Sequence, residues 1–156
     1  MMTKLLKYCI YRFLGFPNYL RRLQWPYVSK LLALEGVGAL IDLGAGPMHY
    51  SIKLAKSSNF SVIAVDLDFP VEHVDVAKKN GVNPLRANGQ KLPFGDQTID
   101  RILMSSLLHM VPDPNALLIE CKRVLKKEGH IVLSVPNNYQ YIPRLLKSRS
   151  EEHTSE

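Results

Sequence analysis

A chain of 156 residues with 46% hydrophobic side chains has the size of one domain with a buried core, and the composition excludes extended disorder over most of it. No apolar run reaches the ~18–20 residues that a bilayer span needs, and no small-residue cleavage site follows the amino terminus, so the expected compartment is the cytoplasm. The net charge of +6 is unevenly spread: Lys4, Lys7, Arg12, Arg21, Arg22 and Lys30 all precede the first acid, a pattern suited to an anionic partner such as lipid, a phosphate-bearing substrate or nucleic acid.

Residues Thr3 to Leu14 carry helical periodicity, with Leu5, Leu6, Cys9, Ile10, Phe13 and Leu14 on one face and Lys4, Lys7, Tyr8, Tyr11 and Arg12 on the other. Gly15, Pro17 and Asn18 interrupt it. A second helix is expected over Tyr19–Leu34, with Pro26 as a bend or restart. This basic helical extension, residues 1–36, reads foremost as a cap over a ligand site. A membrane-surface helix or a plain packing element are the other readings. Nucleic acid is not expected, because Trp25 and the tyrosines do not interleave with the basic residues as a stacking groove requires.

Strand and helix patterns then alternate, which predicts an α/β fold with a doubly wound, Rossmann-like parallel sheet over residues 37–147. The expected strands are Ala39–Leu43, Ser61–Asp66, Asn83–Ala87, Ile99–Ser105 and His130–Val135. The expected helices are Met48–Lys56, Val71–Asn80 and Pro114–Lys126, the last with Asp113 as N-cap and Pro114 at N1. A turn is expected at Lys127-Glu128-Gly129. Cys9 and Cys121 read as reduced, buried thiols, and no His, Cys or carboxylate cluster has metal-ligand spacing, so no metal is expected.

The chemistry gathers where successive strands end. Asp42-Leu43-Gly44-Ala45-Gly46 closes the first strand with an acid and a Gly-x-Gly turn that lets backbone amides approach a ligand. An acid one residue before the first glycine would repel a pyrophosphate and suits a ligand bearing an ammonium and a sulfonium. Asp66 ends the second strand, where a carboxylate can accept from two ribose hydroxyls. Ala87-Asn88-Gly89-Gln90 follows the third strand, and Met104-Ser105-Ser106-Leu107-Leu108-His109 closes the fourth. Taken alone, Gly44-x-Gly46 is a weak signal. A nicotinamide-dependent oxidoreductase would use the same sheet, with a third glycine near position 49 and no acid at position 42.

From Leu40 to Asn138 the chain resembles the class I S-adenosylmethionine-dependent methyltransferases, specifically the type 11 branch. The resemblance rests on the Gly turn with Asp42 and Asp66, on Lys91-Leu92-Pro93-Phe94 with Gln97-Thr98-Ile99-Asp100, on Leu108-His109-Met110-Val111-Pro112-Asp113, and on Arg123-Val124-Leu125-Lys126 with Gly129. It implies S-adenosyl-L-methionine as cofactor and a small-molecule methyl acceptor, lipid- or quinone-like molecules among the candidates. A catalytically inactive module of the same fold is the alternative. Asp42, Gly44, Ala45 and Gly46 would meet the methionine part and Asp66 the ribose, with Leu67 beside the adenine. Asn88 and Gly89 would border the adenine, and Ser105 would line the pocket below the sulfonium.

His109 is the candidate general base, set against a structural reading in which it caps the loop after strand four. Two positions depart from the family pattern: Met48 stands where a third glycine is common, and Asn88 where Asp is common. The resemblance further implies that these are strands one to five of a seven-stranded sheet, so that the native product would continue past about Lys147. The terminal Arg149–Glu156 resembles the in-frame translation of a sequencing-library adapter, so residues 148–156 are expected to be a non-native, disordered tail.

Overall fold

The computed structural model describes residues 16–135. The expected helix at Thr3–Leu14, Cys9 and the segment from 136 to 156 lie outside the described residues. Helix α1 spans Phe16–Leu32 and runs through Pro26 without a restart. It ends at Ala33, which takes a positive φ of 47°. The guanidinium of Arg101 closes that end: Nε donates to the Leu32 carbonyl at 2.7 Å and Nη2 to the Ala33 carbonyl at 3.5 Å, where a cation matches the helix dipole. Val28 and Leu32 are buried in the core, so α1 is a packed part of the domain rather than a detached arm.

Five strands follow: β1 (Val37–Leu43), β2 (Asn59–Asp66), β3 (Val82–Arg86), β4 (Ile99–Ser105) and β5 (Leu125–Ser134). Between them lie α2 (His49–Ser57), α3 (Val71–Lys79) and α4 (Pro114–Val124). All neighbours are parallel, in the order β3-β2-β1-β4-β5. The fold is the expected α/β, Rossmann-like one. Strand alternation divides the core into two layers. Leu40, Val62, Ala64 and Leu103 face the side covered by α1, α2 and α3, whereas Ile41, Leu43, Val65, Ile102 and Met104 face α4 through Leu117, Cys121 and Val124.

Cys121 is fully buried, and burial pushes its thiol up to about 11, as a packing residue requires. Asp113 caps α4 by accepting from the Ala116 amide at 3.0 Å, with Pro114 in the first turn, as expected. The largest boundary difference lies after α4. The helix α4 stops at Val124, and the expected turn at Lys127–Gly129 lies inside β5, as a register shift between the Ile99–Leu125 and Arg101–His130 pairs. A Cβ on Gly129 would stand 2.9 Å from the Lys126 carbonyl oxygen, so the chain folds tightly there within the strand.

The order places β1 in the middle, with the chain winding to β2 and β3 on one side and to β4 and β5 on the other. The carboxyl end of β1 is therefore the point where winding reverses, and helices and loops diverge from it to leave a crevice.

Candidate functional site

Gly44 leaves β1 with φ +73°, and its amide and that of Ala45 both donate to the Val65 carbonyl, at 2.8 and 3.2 Å. This ties the glycine turn to the end of β2. A Cβ on Gly44 would stand 2.8 Å from Leu107 Cδ1, so the β4 loop approaches a bare backbone. Met48 then enters α2 in the left-handed conformation, φ 58° and ψ 27°, fully buried. The side chain at the family's glycine position thus occupies the backbone geometry that a glycine would adopt, and burial of the thioether in the core offsets the ~1 kcal/mol of strain.

Met48 offers α2 no side-chain cap. That work falls to Asp42, one strand away. Asp42 is only 2% exposed, and its carboxylate accepts from Ser51 Oγ at 2.5 Å and from the Ser51 amide. Burial raises its pKa to about 6, with the Ser51 hydrogen bonds opposing the shift. Asp42, expected to meet the methionine part of the ligand, turns its carboxylate to Ser51 and does not line the cavity described below. Alternation along β1 turns its side chain toward α2, inside the same layer as Leu40.

Asp66 does stand at the crevice. Its Oδ2 accepts from the Gly46 amide and its Oδ1 from the Leu67 amide, both at 2.8 Å. Each carboxylate oxygen has a second lone pair, so two further donors can be accommodated. Leu43, Gly44, Val65, Asp66, Leu67, Ala87 and Asn88 line a cavity of about 250 Å³ together with Gly89, Gln90, Leu107, Val111, Pro112 and Leu117. Its walls are mostly apolar, with one carboxylate at the rim. Gly89 is needed for that space, because a Cβ there would reach 2.8 Å from Leu117 Cδ1 and 3.2 Å from Leu43 Cδ1.

Asn88 lines the cavity, but its Oδ1 accepts from the Gln90 amide at 2.9 Å, and Gln90 Nε2 donates to the Asp113 carbonyl at 2.9 Å. The expected acceptor of Asn88 thus already shapes its own turn. Behind it, Arg123 clamps the Leu92–Asp96 loop. It donates to the Leu92 and Phe94 carbonyls at 3.2 and 2.9 Å, to Asp96 at 2.6 Å and to Glu120 at 2.7 and 2.8 Å. Glu120 in turn accepts from the Leu92 amide at 2.7 Å. The Lys91–Phe94 and Arg123 motifs are therefore two halves of one fastening.

Five of the expected site residues (Gly44, Asp66, Leu67, Asn88 and Gly89) line the cavity, and Asp42, Ala45, Gly46, Ser105 and His109 do not. Gly46 reaches the site through Asp66. Ser105 Oγ lies 3.4 Å from Ser134 Oγ across the β4–β5 pair. His109 is exposed on the loop whose Leu107, Val111 and Pro112 wall the cavity.

Sequence reasoning missed three things. Leu107, Val111, Pro112 and Leu117 line the cavity without polar signals to announce them. Tyr50 donates to Gln24 Oε1 at 3.0 Å and stacks on Trp25 at 6.3 Å between ring centres. A second recess of about 230 Å³ is lined by Arg21, Arg22, His49, Tyr50 and Lys53. Among the described residues no three His, Cys, Asp or Glu side chains gather as a metal centre would need, and no helix is long and apolar enough to cross a membrane.

A family model for a methyltransferase domain matches residues 41–133. An uncharacterized protein of Methanocaldococcus jannaschii is 28% identical over 131 residues, covering 81% of this chain and 60% of that protein. The demethylmenaquinone methyltransferase of Bacillus subtilis is 34% identical over 105 residues, 63% of this chain and 45% of that enzyme. The chain thus spans less than two thirds of these relatives. The crystal structure of a candidate S-adenosyl-L-methionine-dependent methyltransferase from Methanococcus maripaludis superposes with a TM-score of 0.64 at 22% identity, over 93% of this chain and 68% of that one, which shows a shared fold.

Proposed function

The chain belongs to the methyltransferase-domain family, and on that premise we propose that the protein binds S-adenosyl-L-methionine in the crevice at the end of β1 and carries its methyl group to a small-molecule acceptor. The observation that carries this reading is the pairing of Asp66 with bare backbone at Gly44 and Gly89 around one apolar cavity. The fit is good. The rim carboxylate has lone pairs for a ribose diol, the apolar walls suit a purine, and a Cβ at either glycine would fill the space. When bound, the cofactor supplies a methyl group on a positively charged sulfur.

The protein's own residues do the remainder. Gly44, Ala45 and Gly46 present backbone along the methionine part, and Asp66 takes the ribose. Leu67, Asn88 and Gly89 border the adenine. Asp42 acts from within the core, as a buried negative charge that holds α2 against the turn. Ser105 stands on the side where the sulfur would lie. His109, exposed on the loop that walls the cavity, is assigned proton acceptance from the acceptor nucleophile. Since sulfonium is already an excellent leaving group, alignment of acceptor and methyl is the larger task.

A quinone-like ring is favoured by the 34% identity to a demethylmenaquinone methyltransferase. A membrane-surface contact would serve such a substrate, and α1 exposes Leu23, Tyr27 and Leu31 at helical spacing beside Arg22 and Lys30. The test of the main reading is calorimetric titration with S-adenosylhomocysteine and, separately, with nicotinamide nucleotides. Only the first should bind, and Asp66→Asn should weaken it by about 10–100-fold. Binding of the nicotinamide nucleotide alone would end the proposal. An inactive module would bind the homocysteine nucleoside yet transfer no labelled methyl group to any lysate component.

A further inference from the structure

Helix α1 buries one face and exposes the other. Val28 and Leu32 lie in the core and Trp25 packs against it, whereas Leu23, Tyr27 and Leu31 are 52, 72 and 63% exposed. Those three recur at every fourth residue, so they share one stripe, within about 80° of arc, along the outside of the helix. Arg22 and Lys30, both exposed, flank the stripe. The first 34 residues contain no acid, and Glu35 is the first. The stretch before α1 repeats the mixture in sequence, with Leu5, Leu6, Ile10, Phe13 and Leu14 among Lys4, Lys7 and Arg12. Leu31 also shares a shallow groove with Leu133 of β5, itself 45% exposed, which carries the apolar surface past the helix.

The stripe has an orientation relative to the crevice. Gln24 accepts from the Tyr50 hydroxyl at 3.0 Å, and Tyr50 lies in the first turn of α2, directly after the glycine turn. At the other end, Arg101 in the first half of β4 donates to the Leu32 carbonyl. Helix α1 therefore runs antiparallel to the strands, and its amino-terminal half lies at the end of the sheet where the crevice opens. A surface that receives the stripe lies alongside that end as well.

We propose that the outer face of α1 docks the protein on an anionic lipid bilayer, with Leu23, Tyr27 and Leu31 entering the headgroup boundary and Arg22 and Lys30 meeting lipid phosphates. An apolar stripe bordered by cations and free of acids matches a layer that is apolar inside and negative at its surface. The long apolar stems of Arg22 and Lys30 allow both contacts at once. A second copy is a poorer match, because a two-fold contact through this face sets its cations against the same cations, with no acid on the helix to receive them. A protein partner needs ~800 Å² on each side for an interface of standard size, more than three side chains on a convex helix supply. The docking stands apart from the chemistry. Its use, delivery of a membrane-dissolved acceptor to the crevice end, rests on the methyltransferase reading.

The test is co-sedimentation of the full chain with vesicles of phosphatidylcholine containing phosphatidylglycerol, against vesicles of phosphatidylcholine alone. The chain should pellet with the first, far less with the second, and come off as salt is added. The L23S/Y27S/L31S variant changes only exposed side chains and should bind the anionic vesicles about tenfold or more weakly. R22Q/K30Q leaves the apolar stripe intact and should weaken binding to the anionic vesicles by about tenfold, with the phosphatidylcholine background unchanged. Absence of wild-type binding to anionic vesicles, or wild-type affinity in either variant, would overturn the proposal. A lipid-free dimer that L23S/Y27S/L31S dissolves, seen by sedimentation velocity without any vesicle binding, would assign the face to a second copy and overturn it too. S-adenosylhomocysteine affinity in lipid-free solution should be equal in wild type and both variants, which separates docking from cofactor binding. Vesicle binding by a chain that binds no S-adenosylhomocysteine would keep the docking surface and end the methyltransferase reading.

Discussion

The two hollows of this domain handle charge in opposite ways. Behind the apolar cavity, the Arg123 guanidinium is matched by Glu120, Asp96 and two carbonyls, and the loop it grips presents Asn88, Gly89 and Gln90 as a wall. At the recess between α1 and α2, basic side chains converge with no carboxylate among the lining residues. Charge matched within one loop and one helix builds shape: the Arg123 contacts fix the wall of the first hollow, whereas the second gathers side chains from two different helices.

That contrast breaks most sharply at Gly44. Gly44→Ala places a methyl group 2.8–3.1 Å from three Leu107 atoms at a φ of +73°. The turn must shift, and S-adenosylhomocysteine affinity should fall by on the order of 100-fold in a calorimetric titration.

Arg123→Ala tests the wall rather than the turn. It strips partners from Glu120, Asp96 and the Leu92 and Phe94 carbonyls at once, so the thermal midpoint should drop by several degrees and nucleoside affinity should weaken less than in Gly44→Ala.

Asp42 lines neither hollow, and its effect is smaller but carries a sign. Its carboxyl is raised from 3.8 to about 6 in the folded protein, chiefly by burial. The neutral form is therefore favoured by folding, and the stability it contributes is full below about pH 4 and lost as pH rises through 6. Unfolding free energy should fall across that window by on the order of 1–3 kcal/mol. Asp42→Asn should remove that slope and leave the protein more stable at pH 7 by denaturant titration. Binding of a cationic cofactor should be weaker in the variant, because the buried charge that attracts it has gone.

Much of the architecture was legible in the residues. Apolar runs such as Leu40–Leu43 and Val62–Val65, with glycine turns and a helix pattern between them, announce a parallel sheet because both faces of each strand are buried. Asp66, Gly44 and Gly89 were readable for a related reason: a strand-end acid and residues without side chains have few other uses in that setting. Where side chains pointed was less legible. Asp42 and Asp66 look alike in sequence, yet one faces a helix inside the core and the other the open crevice. Arg21, Arg22, His49 and Lys53 are ordinary basic residues until α1 is laid against α2.

The residues by themselves determined the α/β class, the crevice at the end of the first strand and the acids and glycines around it, because backbone periodicity and conformational freedom are local properties. Only the tertiary structure decided that Asp42 caps a helix, that Arg123 secures the Leu92–Asp96 loop and that basic groups from two helices meet in one recess. Those outcomes depend on which elements pack together, and packing distances, unlike periodicities, are not carried by any single stretch of chain.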